Sequence, residues 1–236
     1  MQHKSKRKYY KDEGKKRDYN LFVIVTEGAK REVQYFLPFD IIDRIKVLAI
    51  HPNKDDEGSS PDHVLDRVKG YIGEYGLSEL YGDSLWCVID VDKWPIKNIE
   101  ELAEYCKNRP ATNLTISNPC IEVWLLLHKF ADLSNFDCSK PDNLKNALGA
   151  IPPAGYNYHK YIPLMPDAIL NARNIDVEEG YMPALGTTKV YLLAEALMKH
   201  ITPAAWSKFL QQLPHIDVVF DDRGKAYIRC KDKTKR

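Results

Sequence analysis

The stretch LWCVIDVDKW, Leu85–Trp94, decides how the chain is read. Leu85 to Ile89 are apolar without a break, as in a strand buried on both faces, and the run ends on Asp90 and Asp92. In a strand, residues two apart share a face, roughly 6.5–7 Å from each other. Either the strand reaches solvent here and turns, or the two acids serve a site.

The surrounding order of elements favours a site. LFVIVTEG (Leu21–Gly28), IKVLAIHP (Ile45–Pro52) and TNLTIS (Thr112–Ser117) read as three further strands. A helical pattern follows each of the four: AKREVQYFLPFDII, SPDHVLDRVKGYIGEYG, IKNIEELAEYCKN and CIEVWLLLHKF. Strand and helix thus alternate four times between Leu21 and Phe130. The pattern predicts an α/β fold with a mostly parallel four-stranded sheet flanked by helices. In such sheets functional residues gather beyond the carboxyl ends of the strands. That edge receives Glu27 from the first strand, Asp90 and Asp92 from the third, and Ser117–Asn118 from the fourth.

From Ala131 the pattern changes. MPDAILNARNID, TTKVYLLAEALMKH and PAAWSKFLQQL read as helices, and IDVVF-DDRG-KAYIRC as a β-hairpin. The expected organisation is a basic tail over 1–20, the α/β core over 21–130, and a C-terminal helical lobe with terminal hairpin and basic tail over 131–236.

Composition, 44% hydrophobic and 28% charged, is that of a globular protein. The net charge of +1 conceals two basic ends. Eight basic residues lie between Lys4 and Arg17 against Asp12 and Glu13, and seven between Arg223 and Arg236 against Asp232. Such ends suit a polyanion such as nucleic acid; a solubilising tail is the alternative. Five cysteines without a CxxC pair argue against a zinc ribbon or a disulfide framework and fit reduced thiols in the cytosol. No apolar run reaches the roughly 18–20 residues of a membrane span, and the N-terminus is too polar for a signal peptide. A cytoplasmic protein without membrane attachment is expected.

Clustered carboxylates repel one another and partly neutralise unless a cation joins them. Mg²⁺, or Mn²⁺ in its place, takes hard oxygen ligands and needs only one or two protein carboxylates. That economy is typical of phosphoryl-transfer sites.

Three segments carry a family resemblance: FVIVTEGAKREVQYF (Phe22–Phe36), WCVIDVDKW (Trp86–Trp94) and ISNPCIEVWLLLH (Ile116–His128). Together they resemble the RloB-like family of the Toprim class, and GTTKVYLLAEAL (Gly186–Leu197) resembles a late family segment. The SNPxxExWLLLH pattern is the most specific part. The resemblance implies a Toprim fold, Mg²⁺-dependent cleavage of phosphodiesters in DNA or RNA, and bacterial antiviral or abortive-infection biology with other defence proteins as partners. It implies Glu27 as general acid/base or metal ligand, Asp90 and Asp92 as metal ligands, and Glu32 as an acid for a second metal. Asn118 and Glu122 would orient the edge of the fourth strand. Two positions depart from the family: Lys93 stands where many Toprim proteins have a further acid, and Arg31 where the family favours Thr. Both could bring positive charge to a phosphate.

The remaining candidates each have two readings. Gly28 permits close approach of a phosphate, or only a turn. Lys30 and Arg31 touch phosphate, or open a helix into solvent. Lys189, after Thr187–Thr188 at a helix start, could also meet phosphate. Glu122 lies in an apolar helix and needs a partner. His128 closes that helix, as a cap or as support for the site. YNYHKY (Tyr156–Tyr161) suits a base-stacking loop or a packing segment. Three functions compete: a metal-dependent nuclease, a non-catalytic sensor or adaptor for nucleic acid or nucleotide, and a haloacid-dehalogenase-type phosphatase built on Asp90 and Asp92. The last needs further strand–helix units after Asp92, where only one convincing strand lies between Lys93 and His215, and it leaves Glu27 without a task.

Overall fold

A computed structural model of the chain describes residues 17–52, 58, 60–92, 94–151 and 156–231. Lys93, the N-terminal basic end up to residue 16 and the last five residues, 232–236, lie outside the described residues. The first half follows the expected alternation: β1 (Asn20–Thr26), α1 (Arg31–Phe36), β2 (Ile45–Ile50), α2 (Pro61–Glu74), β3 (Ser84–Asp90), α3 (Ile96–Lys107), β4 (Thr112–Asn118) and α4 (Glu122–Leu126). Then come α5 (Pro141–Ala150), α6 (Tyr158–Tyr161), α7 (Met165–Ile175), β5 (Thr187–Thr188), α8 (Val190–Met198) and α9 (Pro203–Gln212). A hairpin of β6 (Ile216–Phe220) and β7 (Ala226–Cys230) closes the described chain. Among the described residues no helix is long and apolar enough to cross a membrane.

The sheet runs in the order β2-β1-β3-β4-β5, with the first four strands parallel and β5 antiparallel to β4. The expected count of four strands is therefore corrected to five. Thr187 and Thr188, expected at a helix start, pair with Asn118 and Ser117 instead. The Thr188 and Ser117 hydroxyls hydrogen-bond at 2.9 Å. A two-residue strand is too short to show a period of two, so sequence patterning has nothing to detect.

Alternate residues of each central strand feed two separate cores. Phe22 and Ile24 of β1, with Trp86 and Val88 of β3, face α1, α4 and the C-terminal helices. Leu21, Val23, Val25, Leu85, Cys87 and Ile89 face α2 and α3. Both faces are covered, which is why these strands read as unbroken apolar runs. Leu144, Ile162, Leu193 and Phe209, from beyond Ala131, share the first core with Phe22 and Trp124. The C-terminal segment is thus packed into the α/β layer and lends it a strand.

Glu122–Leu126 is shorter than the apolar run that predicted it. His128, just beyond, is buried. Its Nδ1–H donates to the Trp124 carbonyl at 2.9 Å, which leaves Nε2 to accept from the Tyr35 hydroxyl at 2.7 Å. Burial holds the imidazole pKa down to about 3, so the ring is neutral. His128 therefore anchors α1 through Tyr35.

From β1 the chain passes to β2 on one side; β3 then takes the place on the other side of β1 and the chain continues outward to β4. The direction of travel reverses between β1 and β3. In open α/β sheets the crevice beyond such a reversal is the usual ligand position.

Candidate active site

Glu27 stands at that reversal. Its N–H donates to the Val88 carbonyl at 3.0 Å, carrying the ladder one residue past β1. Its buried carboxylate accepts the Asp90 N–H on Oε2 at 3.0 Å and the Trp94 indole N–H on Oε1 at 2.7 Å. Asp90 ends β3 opposite Ser117. Asp92 has a φ of 29°, a left-handed backbone that aspartate tolerates better than most residues. The turn swings the Asp92 side chain into solvent.

Glu32, in the first turn of α1, is buried at 5% exposure. A Cβ at Gly28 would collide with its carboxylate. Glycine is required here by the close approach of an acid, and the turn has an ordinary φ. Gly28→Ala is expected to displace Glu32 and weaken Mn²⁺ binding roughly tenfold, the low end for disturbing a ligand's support. Calorimetric titration checks it; unchanged affinity would remove Glu32 from the metal's neighbourhood.

The acids share one electrostatic field. Burial pushes Glu27 up to about 7, opposed by the Asp90 and Trp94 donors and reinforced by Glu32 and Asp92. Burial also raises Glu32, against the pull of its own N–H, Arg31 and the Gly28 N–H. Asp90 is held well above the usual carboxylate range by burial, then by Glu32 and Glu27, with the Ile121 N–H opposing. Among the described residues no lysine or arginine ion-pairs with any of the four.

Glu27 binds more protons folded than unfolded between about pH 4.5 and 7. Folding stability contributed by this group therefore falls as pH rises through that window. The metal-free protein is expected to melt at a lower temperature at pH 7.5 than at pH 5, with Glu27→Gln flattening the slope. A profile insensitive to that substitution would contradict the raised pKa.

Glu32 and Asp90 form the floor of a cleft of about 550 Å³. Its rim carries Lys30 and Arg31 from the start of α1 and Lys145 from α5, with Tyr156 on one side. Mutually repelling hard-oxygen donors, raised by burial and one another, suit a divalent cation, so the donor set fits Mg²⁺ or Mn²⁺. The donors are not already drawn into a cage: among the described residues no three Asp, Glu, His or Cys side chains are grouped to hold an ion.

The other sequence candidates divide. Arg31 forms an ion pair with Glu122, which is 1% exposed and so has the partner its burial demands. The Arg31 side chain stays 39% exposed at the cleft. Asn118 faces away: its Nδ2 donates to the Pro183 carbonyl at 3.0 Å, and its backbone carbonyl accepts from the Gly186 N–H at 2.7 Å. It fixes the approach to β5. The phosphate contact expected of Lys189 gives way to an internal ion pair. Its buried ammonium donates to both Asp176 oxygens, at 2.9 and 2.7 Å, and to the Glu178 carbonyl at 2.7 Å. Three donors are spent on three acceptors. YNYHKY is largely a packing segment: Tyr158 accepts from the Val218 N–H at 2.9 Å and His159 contacts the Ile216 carbonyl at 2.8 Å. Lys145 and Trp94 were not anticipated. Lys145 lies in no motif, Trp94 ends the opening motif without a role assigned to it, and only the tertiary fold places either.

The chain matches the family profile described as RloB-like protein over residues 22–197. No curated protein matches it, and no solved structure does.

Proposed function

Because the chain belongs to the RloB-like protein family, we propose that it is a Toprim-like, Mg²⁺-dependent enzyme cleaving phosphodiester bonds in nucleic acid. The observation that carries this reading is the cleft at the β1–β3 reversal, with Glu32 and Asp90 on its floor and cations on its rim. Asp90 and Glu32 would hold the cation, with Asp92 within reach of the same edge. A bound Mg²⁺ or Mn²⁺ would neutralise phosphate charge and activate water. Glu27, poised near neutrality by burial, suits proton transfer at working pH. Trp94 and the Asp90 N–H fix its orientation. The RloB-like resemblance supports a place in bacterial antiviral defence beside other defence proteins.

The test is a Mg²⁺ and Mn²⁺ titration over DNA and RNA substrates, comparing wild type with Glu32→Gln. Metal-dependent cleavage that Glu32→Gln leaves intact would overturn the assignment. A second reading, a non-catalytic nucleic-acid sensor, is favoured by one observation: both Glu27 oxygens are already engaged by internal donors. Binding without cleavage under every metal and substrate would select it.

A further inference from the structure

The cleft has features that the acids alone do not explain. Its rim is cationic, and the three cations come from distant parts of the chain. Lys30 and Arg31 enter from α1, while Lys145 enters from α5. Among the described residues Lys145 ion-pairs with Asp142 alone, at 3.4 Å on its own helix, and its side chain is 43% exposed. Arg31 is held by Glu122, yet a guanidinium has five donors in a rigid fork. One edge can stay with Glu122 while another faces an anion, so Glu122 orients the fork rather than cancelling it.

The second feature is Tyr156. It lines the same cleft beside the rim cations. Its hydroxyl donates to the Arg31 carbonyl at 3.4 Å, and its ring packs against Tyr161 with centroids 5.4 Å apart. An aromatic ring set in a cationic groove is the usual platform for an unpaired base. The third feature is size and depth. A volume of about 550 Å³ lies within the range of pockets that enclose a small molecule, about 300–1,000 Å³. Glu32, on the floor, is 5% exposed. A phosphodiester must enter the cleft to reach it, and a strand free to splay its nucleotides does so more readily than one locked in a duplex.

We propose that the cleft is a subsite for single-stranded nucleic acid, with the backbone phosphate gripped by Lys30, Arg31 and Lys145 and the neighbouring base stacked on Tyr156. The proposal rests on the phosphodiester reading of the same cleft and specifies its substrate. It also gives Arg31, the departure from the family pattern, a use as a fixed phosphate fork.

The test is fluorescence anisotropy with labelled single-stranded oligonucleotides, DNA and RNA, and with matching duplexes. The full chain is used, with Ca²⁺ replacing Mg²⁺ to hold off cleavage. Wild type is expected to bind single strands of at least one sugar type at least tenfold more tightly than duplex. Lys145→Gln should weaken binding several-fold and reduce the salt slope by about one. Tyr156→Ala should weaken it about tenfold with the salt slope unchanged, and Tyr156→Phe should bind like wild type. If Tyr156→Ala does not fold, Tyr156→Leu replaces it. Tighter binding to duplex, or wild-type affinity in both Lys145→Gln and Tyr156→Ala, overturns the proposal. Cleavage assays with Mg²⁺ and Mn²⁺ on wild type and the same rim variants, with Asp90 kept, separate the two readings. Rim-dependent binding with no cleavage by wild type under any metal or substrate leaves the subsite standing and removes the enzyme. Metal-dependent cleavage with rim-independent binding does the reverse.

Discussion

Asp90→Asn is expected to reduce metal-dependent cleavage by about a hundredfold to a thousandfold while raising the melting temperature of the metal-free protein. Asp90 sits among Glu27, Glu32 and Asp92, and burial together with its neighbours' charges raises its pKa. An amide of the same shape keeps an oxygen for the Ile121 N–H and removes the charge that Glu27 and Glu32 oppose. The folded state without metal should gain. The proposed cation site should lose a ligand, at about 1.36 kcal/mol of barrier per tenfold in rate. The opposite signs separate function from structure. Cleavage lost together with a lower melting temperature would mark Asp90 as a structural residue. Undiminished cleavage would remove it from the chemistry.

Lys189→Ala should have the largest effect on stability, about 3–5 kcal/mol. It strips the cation from Asp176, whose side chain is 1% exposed, and among the described residues leaves its carboxylate the Tyr191 hydroxyl at 2.9 Å. Removing one member of a buried ion pair costs more than the pair contributes, because the survivor is left charged and dry. For a domain of this size the melting temperature should drop by roughly 6–20 °C. A double change, Lys189→Met with Asp176→Leu, should recover most of the loss. Among molecules that remain folded, affinity for an oligonucleotide should not change. A stable Lys189→Ala protein with weakened oligonucleotide binding would restore the phosphate role that the sequence suggested.

Much of the architecture was legible because the physics behind it is local. Apolar runs covered on both faces identify β1 and β3, and Pro61 and Pro203 sit in the first turns of their helices, where a missing N–H costs nothing. Glu27 and Asp90 could be placed on one edge because strand ends follow from strand order. What was illegible depends on tertiary position. Lys145 is an ordinary exposed lysine until α5 packs beside the cleft. Glu122 announced a need for a partner without saying which, and Arg31 is ninety-one residues away. Lys189 looked available because Asp176 and Glu178 lie in a loop with no pattern of its own. Thr187 and Thr188 carry the same residue types that cap helices, and only the edge of β4 turns them into a strand.

The central place of β1 also sets an order of events during synthesis. Its pairing with β2 links residues close in the chain, such as Val25 and Ile50. Its pairing with β3 joins Val25 to Cys87, which must wait until α2 has been made and crossed over. Loop closure of that length opposes the contact before it rewards it. Bringing Asp90 against Glu27 and Glu32 adds repulsion at the same moment. The acidic floor therefore forms only after α2 has crossed over, and a nascent chain that stops short of Asp90 lacks one of its acids. A divalent cation held by these acids would offset their repulsion, so its presence during refolding should speed this closure.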